Sequence, residues 1–256
     1  MSNLIAIAQK ELKSYFSSPA AYVLIGFFAV VYGWFFGTFL YVFDRQSQQF
    51  AAVGAGQVPV NLNQQLIQPL FMNVSVILLL ALPLITMRTY AEEKRSGTME
   101  LLLTSPLTDI QIVLGKFIGA MGLIAVMLLV TTPHLGVLFW LATPEWKPIA
   151  TTYLGFFLMS GCFVAIGLFI SSLTSNQVVA GFATFAVFLM LWIISWPGSF
   201  MGPRGQQVFE YLSLPGHFED FTKGVIDTRH LVYFFSVIAF GLFLTVRSVD
   251  SEMWRG

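Results

Sequence analysis

Charge is scarce in this chain. Of its 256 residues only 26 are ionised, 13 Lys and Arg against 13 Asp and Glu, whereas an ordinary soluble domain carries about 25% charged residues. The formal net charge is zero and the pI is near 6.8, so there is no basic field to attract a nucleic acid. A single cysteine, Cys162, excludes an internal disulfide and any multi-thiolate metal site. No G-x-x-x-x-G-K-[ST] occurs: Gly115-Lys116 is followed by Phe117 and lacks the earlier glycine. No G-x-S-G or H-E-x-x-H is present either, and no internal repeat. What is abundant is apolar: 56% hydrophobic residues and 16% aromatic ones, with a mean hydropathy of +0.76. The solvent this composition suits is lipid.

The charges cluster at 10–13, 44–45, 88–116, 145–147, 204–229 and 247–255, leaving long uncharged stretches between. A helix crossing about 30 Å of hydrocarbon needs roughly 20 apolar residues, so each stretch is a candidate span. The longest, 148–203, is divided by the polar string Ser171-Ser172-Leu173-Thr174-Ser175-Asn176-Gln177, and the stretch after Arg45 opens as a glutamine-rich loop through Gln68. The reading is an all-α membrane protein, a single domain of six transmembrane helices at about 20–43, 70–88, 112–141, 149–171, 178–198 and 230–247. An even number places both termini on one side. That side holds eight Lys and Arg (Lys10, Lys13, Arg88, Lys94, Arg95, Lys116, Arg247, Arg255) against five on the other, which predicts cytoplasmic termini in a cell's inner membrane.

Before the first span, Leu4, Ile5, Ala8, Leu12, Tyr15 and Phe16 share one arc of a helix, with Lys10 and Lys13 opposite. Within residues 1–19 this predicts an interfacial amphipathic helix, closed at Pro19. It either only positions the first span or also contributes to a docking surface for a cytoplasmic partner.

The densest segment runs from Thr86 to Lys116 and carries eight charges. Glu92, Glu93, Lys94 and Arg95 are read as continuing the second span into water until Gly97 breaks the helix. Thr98 to Thr104 then forms a short helix, stopped ahead of Pro106. Thr108 with Gln111 is a capping box that starts the third span, and Asp109 suits a helix N-terminus. Leu101, Leu102 and Leu103 on a helix outside the membrane need an apolar partner. Either they fold back under the bundle, or they fit a groove on another protein and pass its movement to spans two and three.

The pattern Glu92-x-x-Arg95-x-Gly97-Thr98-x-Glu100-x-Leu102-x-x-x-Pro106, between the second and third of six spans and after an amphipathic entry helix, resembles the coupling segment of ABC-2 type ABC-transporter permeases. The branch it is most similar to is that of the gliding-motility-associated and nitrous-oxide-reductase copper-maturation permeases. Leu214 to Asp227, before the last span, carries the same likeness, and the resemblance covers essentially the whole chain. It implies two paired permease copies, each resting a cytoplasmic coupling helix on one subunit of a cytoplasmic ATPase dimer. Glu92, Arg95, Gly97, Thr98, Glu100, Leu102 and Pro106 would then do the coupling. ATP and Mg would sit on that separate chain, this one holding no cofactor, metal or catalytic residue. A companion subunit with an extracytoplasmic domain fits the same system, and lipid is the remaining partner.

Between their ends the spans offer no carboxylate or lysine relay, which argues against a proton- or sodium-driven transporter. Their polar candidates are Asn73, Ser75, Thr131, Thr132, His134, Ser160 and Thr184. Ser160 and His134 superficially suit an intramembrane protease, but no protease motif accompanies them. Gly33-x-x-x-Gly37 and Gly115-x-x-x-Gly119 allow close helix packing, within the chain or between copies. Residues 199–229 read as two short, greasy re-entrant outer helices. Phe218, Phe221 and Val225, at i, i+3 and i+7, either shape an outer gate, as in ABC-2 permeases, or only anchor the interface. A non-transporting membrane scaffold is the rival function.

Overall fold

A computed structural model describes residues 3–52, 61–99, 107–200 and 202–253, and among these every regular element is helical. Helix α1 (Asn3–Ser17) leads through Ser18 into α2 (Pro19–Ala52). A π-helical turn (Asn63–Ile67) opens α3 (Gln68–Thr86), and a tight turn joins this to α4 (Ala91–Ser96). Then follow α5 (Asp109–Leu141), α6 (Trp146–Ser172) and α7 (Gln177–Ile193). After a 3₁₀ turn (Pro197–Phe200) come two short helices, α8 (Pro203–Leu212) and α9 (Leu214–Thr222), and the long α10 (Thr228–Met253).

Among the described residues five helical stretches are long and apolar enough to cross a membrane: Pro19–Gln49, Asn63–Ser96, Asp109–Leu141, Trp146–Ser172 and Thr228–Glu252. The sixth expected crossing, 178–198, corresponds to α7, which has 17 residues and so a length of about 26 Å. It nevertheless runs from one end of the bundle to the other. A Cβ on Gly181 would lie 3.0 Å from Met87 at the foot of α3, and Ser195, just past α7, lines a cleft at the opposite end.

The first span is longer than its apolar run suggested. Asp44 and Arg45 do not end α2, because each is satisfied one turn away along it: Arg45 Nε donates to Tyr41 Oη at 2.8 Å and Gln48 Nε2 to Asp44 Oδ2 at 2.9 Å. The glutamine-rich stretch is helical at both ends; residues 53–60 lie outside the description.

Helix α6 is the centre of the bundle, packed against α3, α5, α7, α9 and α10. Phe156, Met159, Cys162, Phe163, Val164 and Leu168 are all essentially fully buried along it. Helix α2 is peripheral, with Val23, Val30 and Trp34 about 70% exposed on its outer side, as suits a helix bathed in lipid. The intramembrane hydroxyls are mostly satisfied by their own helices, as lipid demands. Ser160 donates to Phe156 O at 2.7 Å and Thr132 to Leu129 O at 2.7 Å. The second bond replaces the one Pro133 lacks an N–H to make.

Candidate functional site

The site begins where α3 meets α4. Helix α3 ends at Thr86, and the chain turns through residues 87–90 before α4 starts, so the second span does not continue straight into water as its charge pattern suggested. One side chain holds that turn. Ser171, on the last turn of α6, accepts from the backbone N–H of Tyr90 at 3.1 Å and of Ala91 at 3.2 Å, and donates to Met87 O at 3.2 Å. It therefore supplies from another helix the cap that Tyr90 cannot give. The approach is close because Gly167, one turn earlier on α6, faces Thr86: a Cβ there would fall 2.4 Å from Thr86 Oγ1.

A buried charge network sits beside this turn. Lys116 is 1% exposed, and its Nζ lies 3.1 Å from Glu11 Oε1, 2.7 Å from Glu93 Oε1 and 3.1 Å from Thr89 O. Its ammonium also stands 5.0 Å above the Tyr90 ring. Lys10 approaches the same two carboxylates from the rim, at 3.7 and 3.9 Å, so two cations balance two anions. The arrangement ties α1, α4 and α5 together. A buried cation is tolerable only with such partners, since removing one leaves an uncompensated charge.

Helix α1 reaches this network along a groove in α5. A Cβ on Gly115 would fall 2.5 Å from Ile7 Cγ2, and one on Gly119 would fall 2.6 Å from Glu11 Cβ. The Gly115-x-x-x-Gly119 pair thus seats a helix of its own chain. Its buried face carries Ala8 and Glu11, while Ile5 of the expected apolar arc is 45% exposed.

The residues expected to couple to a partner divide accordingly. Glu92, Arg95, Gly97 and Thr98 are exposed on the surface of this end. Gly97 closes α4 in the left-handed region, with φ 73° and its N–H on Lys94 O, a conformation that favours glycine. Glu93 and Lys94, read from sequence as solvated, are instead internal ties, Lys94 reaching Glu252 of α10 at 2.6 Å. Glu100, Leu102 and Pro106, with the leucine cluster, lie outside the described residues. The capping box of Thr108 and Gln111 is formed. Lys116 was not among the expected site residues, and neither was Glu11. The signal for both was present: Lys116 is a lone charge between two glycines, and Glu11 lies about 20° from Leu4 on the apolar arc at 100° per residue.

At the opposite end of the bundle α9 packs onto α6. Phe218 and Phe221 are fully buried while Val225 is 52% exposed, so the three do not share one face. Phe221 sits where Gly155 of α6 leaves room, with 2.6 Å between Phe221 Cβ and a Cβ built on that glycine. Thr151 Oγ1 donates to Phe221 O at 2.8 Å. Phe218 meets Phe156 edge to face. His134 lies between the rings of Tyr32 and Phe36, each 5.2 Å away, and Ser160 bonds its own helix, so the two do not form a catalytic pair.

A model of the family described as ABC-2 family transporter protein matches residues 5–244. The chain belongs to that family. It is thus the permease type of ABC transporter subunit, a multi-pass membrane protein of transport, and the α3–α4–α5 junction is a segment of an ABC-2 permease. ABC-2 permeases generally work with a cytoplasmic ABC ATPase. No curated protein matches the chain.

Proposed function

We propose that this ABC-2 permease couples ATP hydrolysis by a separate cytoplasmic ATPase to export, or to mechanical work, across the membrane. The observation that carries the reading is the Lys116 network, which joins the exposed face of α4 to α1 and α5 through buried charge. Force applied at Glu92, Arg95 and Thr98 would reach Glu93 within one turn, and through Lys116 would move α5 and α1 as one body. Ser171 would carry the same displacement into α6, the central helix. Glu100, Leu102 and Pro106 would belong to the same coupling segment. Such a lever is more than a connection between two spans requires.

In this reading α7 is the sixth crossing, both termini are cytoplasmic and the membrane is the inner one. A second copy completes the permease, ATP and Mg belong to the ATPase dimer, and Phe218, Phe221 and Val225 lie at the outer gate. The Leu214 to Asp227 segment favours the gliding-motility and copper-maturation branch, in which a companion with an extracytoplasmic domain is expected.

The test uses the complex purified with its ATPase and reconstituted in vesicles. Gly97→Val and Arg95→Glu should leave assembly intact and ATP hydrolysis near normal while transport or force output falls at least tenfold. Full output from both variants, with the ATPase bound normally, would refute the coupling assignment. ATP hydrolysis that ignores every candidate substrate and every companion subunit would favour a scaffold.

A further inference from the structure

Two histidines face each other at the end of the bundle remote from the Lys116 network. His217 Nδ1 and His230 Nδ1 are 2.6 Å apart. The outer nitrogens are engaged as well: His217 Nε2 meets Tyr211 O at 2.8 Å, and His230 Nε2 meets Asp220 Oδ2 at 2.9 Å. The chain of contacts runs from α8 through α9 to the start of α10. Rings reinforce it, with His217 stacked on Tyr233 at 3.8 Å and Tyr233 Oη donating to Leu212 O at 2.8 Å.

Counting protons decides what this cluster is. All four ring nitrogens are used in three hydrogen bonds, and each bond needs one proton. Tyr211 O can only accept, so His217 must donate from Nε2. If His217 is neutral, its Nδ1 must then accept, and His230 must donate from its own Nδ1. The bond to Asp220 requires a third proton, one more than two neutral imidazoles hold. Such a proton would lie between His230 Nε2 and a carboxylate that already faces Lys223 at 3.3 Å. Remove the third proton and two lone pairs oppose each other across that bond. Add a fourth, on His217, and two N–H groups collide at the Nδ1 contact.

We infer that the His217–His230–Asp220 cluster is a proton-operated latch holding α8, α9 and α10 together, closed at three protons and released by either a fourth or the loss of the third. Its proton supply is open. His217 and His230 border a cleft of about 830 Å³ that also exposes Glu210, Glu219, Arg229 and Tyr211. The charged and titratable groups around the latch are Glu210 and Tyr211 on α8, Glu219 beside Asp220 on α9, Lys223 just past its end, Asp227 in the following loop, and Arg229 and Tyr233 on α10. Arg229 stacks over Tyr211, 5.0 Å from its centroid.

The direction on acidification is set by two groups. Burial depresses the His217 imidazole, and the charges of His230 and Arg229 add to it against the opposing hydrogen bond to Tyr211 O and the charge of Asp220. Burial works to raise the Asp220 carboxyl, yet the hydrogen bonds from His230 and Lys223 prevail and hold it below the usual range. A histidine with a depressed folded-state value takes its proton preferentially when released. The latch therefore weakens as pH falls below the ordinary histidine value of about 6.5. Asp220 adds to the loss at more acid pH, where its carboxylate is protonated. The latch does not depend on the coupling reading, since no residue is shared between the two sites.

Amide hydrogen exchange on the full-length protein in lipid nanodiscs, corrected for intrinsic rates, tests it between pH 5 and pH 9. Protection of residues 214–222 should peak at intermediate pH and fall at least tenfold toward pH 5, while α5 and α6 stay constant. In His230→Gln the maximum should vanish. In Lys223→Met, which leaves the histidine pair intact, it should remain. A flat wild-type profile, or an unchanged maximum in His230→Gln, would overturn the inference. Should that variant misfold, the wild-type profile decides alone.

Discussion

Lys116 shows how much one residue can organise. Replaced by Met, it would leave Glu11 and Glu93 buried against each other, with only Lys10, whose side chain is 62% exposed, as counterion. Breaking a buried pair from one side costs about 3–5 kcal/mol, whereas substituting all partners with apolar side chains is often nearly neutral. Thermal unfolding in detergent should therefore show a large fall for Lys116→Met and substantial recovery when Glu11→Leu and Glu93→Leu are added. Equal losses in both would mean the network contributes only shape. Gly167 offers a steric counterpart. Gly167→Val must displace Thr86, whose hydroxyl lies where the first added carbon would go, at about 1–3 kcal/mol for overpacking. The damage should concentrate at the α3–α4 turn, read as faster amide exchange across residues 87–96.

Among the described α-helices α4 is the shortest, with six residues, and it is tied down from outside. Six residues cannot sustain a helix alone, so its order comes from Ser171, from Lys116 and from the Lys94 to Glu252 bridge. Ser171→Ala would leave two backbone N–H groups at its start without their acceptor, at about 1–3 kcal/mol for buried donors. In the reconstituted complex, this change should reduce transport per ATP hydrolysed more than it reduces ATP hydrolysis itself. Unaltered stoichiometry would place the transmission route elsewhere. Helix α1 illustrates the limit of reading by pattern. Its apolar arc was legible, yet the arc points toward α5 and includes a carboxylate, because α1 faces a glycine groove and a buried lysine.

At the scale of the whole molecule the proposed topology puts the two ends of the bundle on opposite sides of the membrane. In a Cys162→Ala background, Ser175→Cys between α6 and α7 and Val225→Cys beyond α9 should react with a membrane-impermeant maleimide from opposite sides. Ser175→Cys should share the side of the termini. Labelling of both from one side would mean that α7 does not cross, and five spans would stand. The bundle's asymmetry also has a physical reading. One end is stitched by ion pairs among α1, α4, α5 and α10, the other by histidines and aromatic rings among α8, α9 and α10, so the two ends can respond to different inputs.

The helical class, the apolar spans, the breaks at Pro19 and Gly97 and the capping box at Thr108 were all written into the chain itself. They follow from local causes: absent charges, a fixed proline φ, a left-handed glycine and a side chain reaching three residues along its own backbone. No local rule could have revealed that Glu11, Glu93 and Lys116 meet, that Ser171 caps a turn some 80 residues earlier in the chain, or that two histidines 13 residues apart share a proton count. Those depend on which helices become neighbours. That choice is made by close packing, as small residues let α1 reach α5 and α6 reach α3, and by the requirement that each charge drawn inside find its opposite there.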